Sequence, residues 1–372
     1  MEAMANEKEI SRGFGEWYKR HERAISLAAF FGGFIFDNLT LLRIDRSLDI
    51  FILFSWLTLA GVGIVIFNLS RHGKSLLGRG RFFEHSNSWL PIIIQFAFGA
   101  LFSGFTIFYM RSASLAASWP FLAIVIFLFL GNEFFRKQYL RLTFQASIFF
   151  TSLFFLMIFY VPILRGEMGA GTFLLSGLAS LAIVFVFIAL LFALLPIEAR
   201  ENKTALVKSI AGIFIAVNIL YFTNSIPPIP LSLKDAGAYH FLEKAQTGGY
   251  ILRGEHTRWY DFFLPHKEIR ILSGEPIYFY SAVFAPTKLN TGIAHDWQYY
   301  DTTMGKWIES GTFPFGISGG RDQGYRGYSI KTNIRPGLWR VDVITDRGQV
   351  IGRTKFMVIE TAAPVALETI IR

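Results

Sequence analysis

The chain of 372 residues contains no cysteine. That absence excludes disulfides, thiolate metal centres and a cysteine nucleophile. Charge is scarce as well, with 17% Asp, Glu, Lys and Arg against 52% hydrophobic residues and a mean hydropathy of +0.41. A soluble domain carries about 25% charged residues, so the chain is too oily for an ordinary water-soluble fold. The net charge of +9 is spread along the sequence without a Lys/Arg-rich block, which excludes a nucleic-acid partner. Also missing are a G-x-S-x-G nucleophile elbow and histidines at i, i+2 or i, i+4: His240, His256, His266 and His295 are scattered. Gly73-Lys74-Ser75 imitates the end of a P-loop, but the Gly required five positions before Gly73 is Asn68. The sequence therefore predicts no cofactor, no metal and no catalytic residue, and it carries no enzymatic signature.

What is present is a series of long apolar runs. A hydrocarbon core about 30 Å thick needs roughly 20 apolar helical residues, and seven runs qualify, near 24–42, 50–69, 89–110, 113–132, 142–164, 172–195 and 207–224. Stretches such as "FLAIVIFLFLG" and "SLAIVFVFIALLFALL" lack the polar stripe of a soluble amphipathic helix. Small residues recur inside the runs, as in "LAGVG" and "LLSGLAS", and would let helices approach closely in lipid. The expected class is a multi-span α-helical membrane bundle of about seven transmembrane helices over 24–224, after a cytoplasmic segment 1–23. The first run follows many polar residues and lacks a short apolar core with an A-x-A site, so it reads as an uncleaved anchor.

Basic residues orient the bundle. Five Lys and Arg precede the first run, four lie in 71–88, three in 136–141 and three in 200–208, whereas the alternate segments hold only Arg43, Arg46, Arg111 and Arg165. Short basic loops stay cytoplasmic, so the N-terminus is expected inside and everything after Ser225 outside, on the extracytoplasmic face of the membrane. The basic stretch 71–85 is expected to lie against anionic lipid. Asp37, beside Asn38, is the ionisable group set clearly within a run, near its outer end, and a structural role is favoured over an ion path. Gln95, Gln145 and Asn218 are suited to interhelical hydrogen bonds.

Pro227, Pro228 and Pro230 end the last run and predict a stiff spacer across 225–249, with a short helix around 235–246. From about residue 250 the apolar period becomes two. Ile277, Phe279, Ser281 and Val283 alternate with Tyr278, Tyr280 and Ala282, and Trp339, Val341 and Val343 alternate with Arg340 and Asp342. "TDRGQ" at 345–349 is a hairpin signal. Short strands with close turns predict a small all-β, immunoglobulin-like antiparallel sandwich over 250–372. Trp297 and Trp339 are expected in its core, and Asp296, Asp301, Asp322 and Asp342 are candidates for a carboxylate pair whose partners spacing alone does not choose.

The segments "APTKLNTGIAHDWQYYDTTMGKW", "GGRDQGYRGYS" and "PGLWRVDVITDRGQVIG" resemble the bacterial family catalogued as domain of unknown function 2914, and "FDNLTLLRIDR" and "NSIPPIPLSL" resemble the membrane portion that precedes it. The resemblance implies a membrane-anchored architecture and implies no activity, cofactor or catalytic residue.

Loops concentrate polar function, which points to Gly319-Gly320-Arg321-Asp322. Forked guanidiniums and aromatic faces suit sugars, peptides or anionic polymers, so Arg321, Asp322, Tyr325, Arg326 and Trp307 form the candidate binding set. The expected function is a polytopic inner-membrane protein whose periplasmic sandwich binds cell-wall glycan or another envelope protein. The alternative is a membrane-embedded enzyme or carrier in which the sandwich is a lid or assembly module.

Overall fold

The apolar runs fold as helices in the computed structural model, which describes residues 31–41, 43–71, 86–112, 114–135, 137–246, 249–256 and 266–372. The expected cytoplasmic segment 1–23, the beginning of the first run and the Gly73-Lys74-Ser75 loop lie outside the described residues. Residues 31–40 are helical and belong to a unit, 1–43, distinct from the unit 44–372. In the second unit the helices are α1 (Ser47–Arg71), α2 (Ser86–Ser112), α3 (Leu115–Gly131), α4 (Leu142–Arg165), α5 (Ala170–Leu194), the short α6 (Pro196–Glu201) and α7 (Lys203–Phe222). Among the described residues five are long and apolar enough to cross a membrane, namely α1, Trp89–Ser112 of α2, α4, α5 and α7. The expected run 113–132 gives only the 17-residue α3, about 26 Å at 1.5 Å per residue.

Helix α4 is the hub. Its most apolar stretch is 72% buried, against 22% in α5 and α7, so α4 is central and the other two are peripheral. Aromatic rings fill the space around it: Tyr109 meets Phe121 at 4.7 Å and Phe121 meets Phe155 at 5.1 Å, while the Tyr109 hydroxyl donates to the Phe155 carbonyl at 2.9 Å. Glycines let neighbours approach: a Cβ on Gly177 would sit 3.0 Å from Phe214 and 3.2 Å from Phe154. Several hydroxyls inside these helices donate to the carbonyl one turn back, as Thr58 does to Phe54 and Ser180 to Ser176 at 2.8 Å, so these need no water.

Gln95 and Gln145 bond between helices as expected. Asn68 donates to Gln145 (2.6 Å), Gln145 to the Tyr139 carbonyl (2.5 Å), Tyr139 to Asn132 (2.5 Å) and Asn132 to the Gln95 carbonyl (3.0 Å). Asn218 instead donates to Phe214 of its own helix. One end of the bundle gathers the last turn of α1, the α3–α4 connection and the α5–α7 connection, tied by Arg71 to the Leu140 carbonyl at 2.8 Å and by Thr143 to Asn202 at 3.3 Å. The other end carries the α4–α5 turn, the exit of α7 and the β region.

Eleven strands follow among the described residues: β1 (Ser232–Tyr239), β2 (Phe241–Lys244), β3 (Tyr250–Gly254), β4 (Lys267–Ile271), β5 (Ile277–Phe284), β6 (Asn290–Asp301), β7 (Lys306–Ser318), β8 (Tyr325–Lys331), β9 (Gly337–Thr345), β10 (Val350–Glu360) and β11 (Glu368–Ile371). The helix expected around 235–246 is β1 and β2. The helix-forming residues of "LKDAGAYHFLEK" yield to pairing of β1 with β5 and to burial of Ala238 and Tyr239 on opposite faces. Sheet order is β1-β5-β8 in one sheet, β4-β10-β9-β6-β7 in a second and β11-β3-β2 in a third. The first two share one core around Phe279, Trp297, Trp339 and Phe356, so both tryptophans are core residues. The third lies on the opposite face of β5, where Leu242 and Leu252 meet Tyr280 and Ala282. Strand β5 is therefore buried on both faces. The ladders are antiparallel except one, because β4 joins β10 in parallel through Ile269 beside Val358.

Candidate functional site

Strand register defines which end of the β region meets the bundle. Gly166 ends α4 in the left-handed conformation (φ +68°), and a Cβ there would stand 2.7 Å from the Lys288 carbonyl, so backbone geometry and packing both require glycine. The Asn290 amide donates to the Gly166 carbonyl at 3.4 Å. Arg347, at the tip of the β9–β10 hairpin, stacks over Tyr221 at 4.2 Å, and Gln349 donates to the Ile226 carbonyl at 3.2 Å. The expected hairpin is formed, and it is also a joint with the end of α7.

The "GGRDQG" loop springs from this same end, because Ser318 at the end of β7 pairs with Asn290 at the start of β6. Its backbone is pinned: the Gly319 amide donates to Leu289 (2.9 Å), Gly320 to Ala285 (3.1 Å) and Gly324 to Arg321 (2.9 Å). A Cβ on Gly319 would fall 1.6 Å from the Pro286 carbonyl, and Gly320 and Gly324 have φ of +91° and +84°. Only glycine fits this close approach and curvature. Gly320, Arg321, Asp322, Gln323, Gly324 and Arg326 line a cavity of about 350 Å³. Arg321 lies over the Tyr325 ring at 5.0 Å.

Tyrosines absent from the expected set complete the surroundings. Tyr250 on β3 meets Tyr280 at 5.9 Å and Tyr328 at 6.0 Å, and its hydroxyl donates to the Arg326 carbonyl at 3.5 Å. Burial raises the Tyr250 phenol above its ordinary value, the neighbouring phenols Tyr328 and Tyr325 add to this, and the Arg321 and Arg326 charges oppose it. Burial pushes Tyr280 to about 12 against the pull of Arg326. The only sequence signal for Tyr250 was an aromatic after "GG", and nothing in the spacing pairs β3 with β8.

Of the expected set, Arg321, Asp322, Tyr325 and Arg326 come together and Trp307 does not. Trp307 is the second residue of β7, at the end of the five-stranded sheet away from the bundle, packed on Tyr300 at 5.3 Å with Arg340 over its ring at 4.5 Å. Asp37 and Asn38 lie on the helical stretch 31–40, in the separate unit.

Two polar groupings lie elsewhere. On the outer face of the five-stranded sheet, Asp296 faces Asp342 across the β6–β9 ladder. Arg353 engages both oxygens of Asp342 at 2.6 Å, which raises its own pKa, and Gln298 donates to Asp296. Burial raises the Asp296 carboxyl, aided by Glu309 and Asp342 and opposed by the Gln298 and Thr312 hydrogen bonds. Asp301 caps a turn through the Thr303 and Met304 amides instead. Inside the core, His295 bonds Ser281 (2.7 Å) and Ser329 (2.9 Å), and the Trp297 indole donates to Ser329 (2.9 Å). Burial alone lowers His295 to about 3. Fully enclosed, this Ser–His contact is a strut between two sheets rather than a nucleophile and its base.

Residues 290–358, from the start of β6 almost to the end of β10, match the family described as "Protein of unknown function (DUF2914)", the family named by the sequence resemblance. The matched segment holds the His295 strut, Trp307, the glycine loop and Trp339. No curated protein matches the chain. Among solved structures, the alkylpurine DNA glycosylase AlkC of Pseudomonas fluorescens, bound to DNA containing an abasic site analog, aligns at 11% identity over 86% of this chain and 99% of that chain. Its TM-score of 0.18 is too low to indicate a shared fold.

Proposed function

We propose that the chain is a bacterial inner-membrane protein of seven spans, N-terminus in the cytoplasm, whose periplasmic β-domain holds an anionic envelope ligand or partner protein at the Arg321–Arg326 loop. The five long apolar helices support the membrane reading, as do the Phe51, Phe96, Phe127 and Phe185 side chains exposed on the bundle's perimeter. In this reading 31–40 belongs to the first span and α3 is a further, tilted-free span of minimal length. The two sheets around Trp297 and Trp339 form an immunoglobulin-like sandwich to which the third sheet is added. The observation that carries the binding function is the cavity at Gly320–Arg326, because its walls are pinned by backbone hydrogen bonds and so are preorganised for a ligand.

A second reading, an enzyme or carrier inside the bundle with the β-domain as lid or assembly module, draws on the buried chain from Asn68 to Gln95. Those amides bond one another and the backbone, which suits interhelical adhesion better than a pathway. Two measurements test the proposal. A reporter active only outside the cytoplasm works when fused after Arg372 and stays silent when fused within 71–85; the reverse pattern overturns the orientation. The full-length protein in neutral detergent binds an acidic oligosaccharide or glycerol phosphate more tightly than a neutral oligosaccharide, and Arg321→Ala/Arg326→Ala removes the difference. Binding indifferent to ligand charge or to these arginines removes the loop from the site.

A further inference from the structure

From the placement of this loop we infer that its ligand is the phosphate head group of an anionic phospholipid in the outer leaflet of the same membrane. The inference rests on the reading of the Arg321–Arg326 loop as a ligand site and narrows the ligand. Its first support is position. Gly319 is bonded to Leu289, and Asn290, the next residue, is bonded to Gly166 at the end of α4. Two hydrogen bonds and one residue of chain separate the loop from the bundle's end, on the order of 10 Å. A head-group layer adds several ångströms to each side of the hydrocarbon core, so a site this close to the helix ends lies at head-group depth.

The second support is composition. Lys288 is exposed on the segment against which the loop is pinned, and Arg321 is exposed at the loop itself, with Arg326 one strand residue beyond Tyr325. Arg165, at the end of α4, is also exposed beside its partner Glu167. Guanidiniums take phosphate oxygens in a bidentate fork, and tyrosines favour the membrane interface because one end is apolar and the other wet. Tyr325 beneath Arg321, and the exposed Tyr328 beside Tyr250, supply that belt. The third is size: a cavity near 350 Å³ is at the lower end of small-molecule pockets, room for a phosphate and its glycerol.

The test uses the full-length protein in neutral detergent with short-chain lipids below their micellar concentration. Short-chain phosphatidylglycerol is expected to bind about 25-fold more tightly than short-chain phosphatidylcholine. An exposed guanidinium–anion pair is worth up to about 1 kcal/mol, or about fivefold in affinity, so Arg321→Ala/Arg326→Ala should weaken phosphatidylglycerol about 25-fold and leave phosphatidylcholine unchanged. Should the double variant melt early, Arg321→Gln, at an exposed position outside any strand, takes its place with a loss of about fivefold. Free glycerol phosphate binding as tightly as phosphatidylglycerol would overturn the lipid source. An acidic oligosaccharide that binds through the arginines while neither lipid does would also overturn it, and would leave the loop standing as a ligand site. Arginine-independent binding of every anion would remove both.

Discussion

Acidification should loosen the β-domain through one residue, His295. Its imidazole sits in the core with no exposed surface, edge-on to Phe279 at 4.8 Å and Phe315 at 4.9 Å, and burial lowers its pKa from 6.5 to about 3. The unfolded chain binds a proton there below about 6.5 and the folded domain does not. Stability from this site is therefore present in full above about 6.5 and is lost progressively as pH falls toward about 3. At about pH 5 the loss is about 2 kcal/mol, the free energy of protonating an ordinary histidine 1.5 units above the solution pH. Denaturant unfolding of the detergent-solubilised protein, followed by tryptophan fluorescence at about pH 7.5 and about pH 5, reads the slope. His295→Gln keeps a donor and an acceptor for Ser281 and Ser329 but cannot titrate in this range. Carboxylates contribute equally to both proteins, so the difference between the two slopes isolates the imidazole. An identical pH dependence in wild type and variant, or a histidine resonance for residue 295 titrating near 6.5, would refute the buried neutral strut.

Trp339→Ala should destabilise the domain by about 3–5 kcal/mol in the same assay, since the indole is buried against Trp297 and donates to the Arg335 carbonyl at 2.9 Å; a loss below about 1 kcal/mol would place it outside the core. Gly319→Ala and Gly316→Ala should differ in sign. A methyl at 319 collides with the Pro286 carbonyl and costs several kcal/mol, whereas at 316 it meets nothing and relieves strand entropy by about 0.5–1 kcal/mol. Equal effects at the two positions would mean that the loop is not pinned.

The helical half was legible because apolar run length is a one-dimensional signal: α1, α4 and α5 lie close to the runs that predict them. The β half was legible one strand at a time. Alternation in "WRVDV" correctly put Trp339, Val341 and Val343 in the core, and positive-φ chemistry correctly made "TDRGQ" a hairpin. In "IYFYSAVF" alternation separates two faces but not what covers each, and Tyr278, Tyr280 and Ala282 are covered by the third sheet. That sheet joins Tyr250–Gly254 to Glu368–Ile371 across more than a hundred residues, a pairing no local pattern encodes. The site suffered the same way. Trp307 is near Arg321 in sequence, but β7 runs straight between them, and 11 residues of strand put them on the order of 35 Å apart. Conversely, Tyr250 reaches Tyr328 only because two sheets stack.

The joint between the two halves gives the position of the loop its consequence. A domain on a floppy tether would sample the space above a membrane, and a basic loop on it would find lipid only by chance encounter. Here Ile226 through Leu231 are buried, the Asn224 amide group donates to the Arg347 carbonyl at 3.2 Å, and Met168 of the α4–α5 turn packs into the β core. Arg347 stacked on Tyr221, and Gly166 against Lys288, add contacts from two separate connections of the bundle. Four attachments from different parts of the chain restrict both the tilt and the rotation of the domain. The entropy of orienting Arg321 and Arg326 is thereby lost on folding, so a ligand of the proposed site would meet a surface already in place at the end of α4.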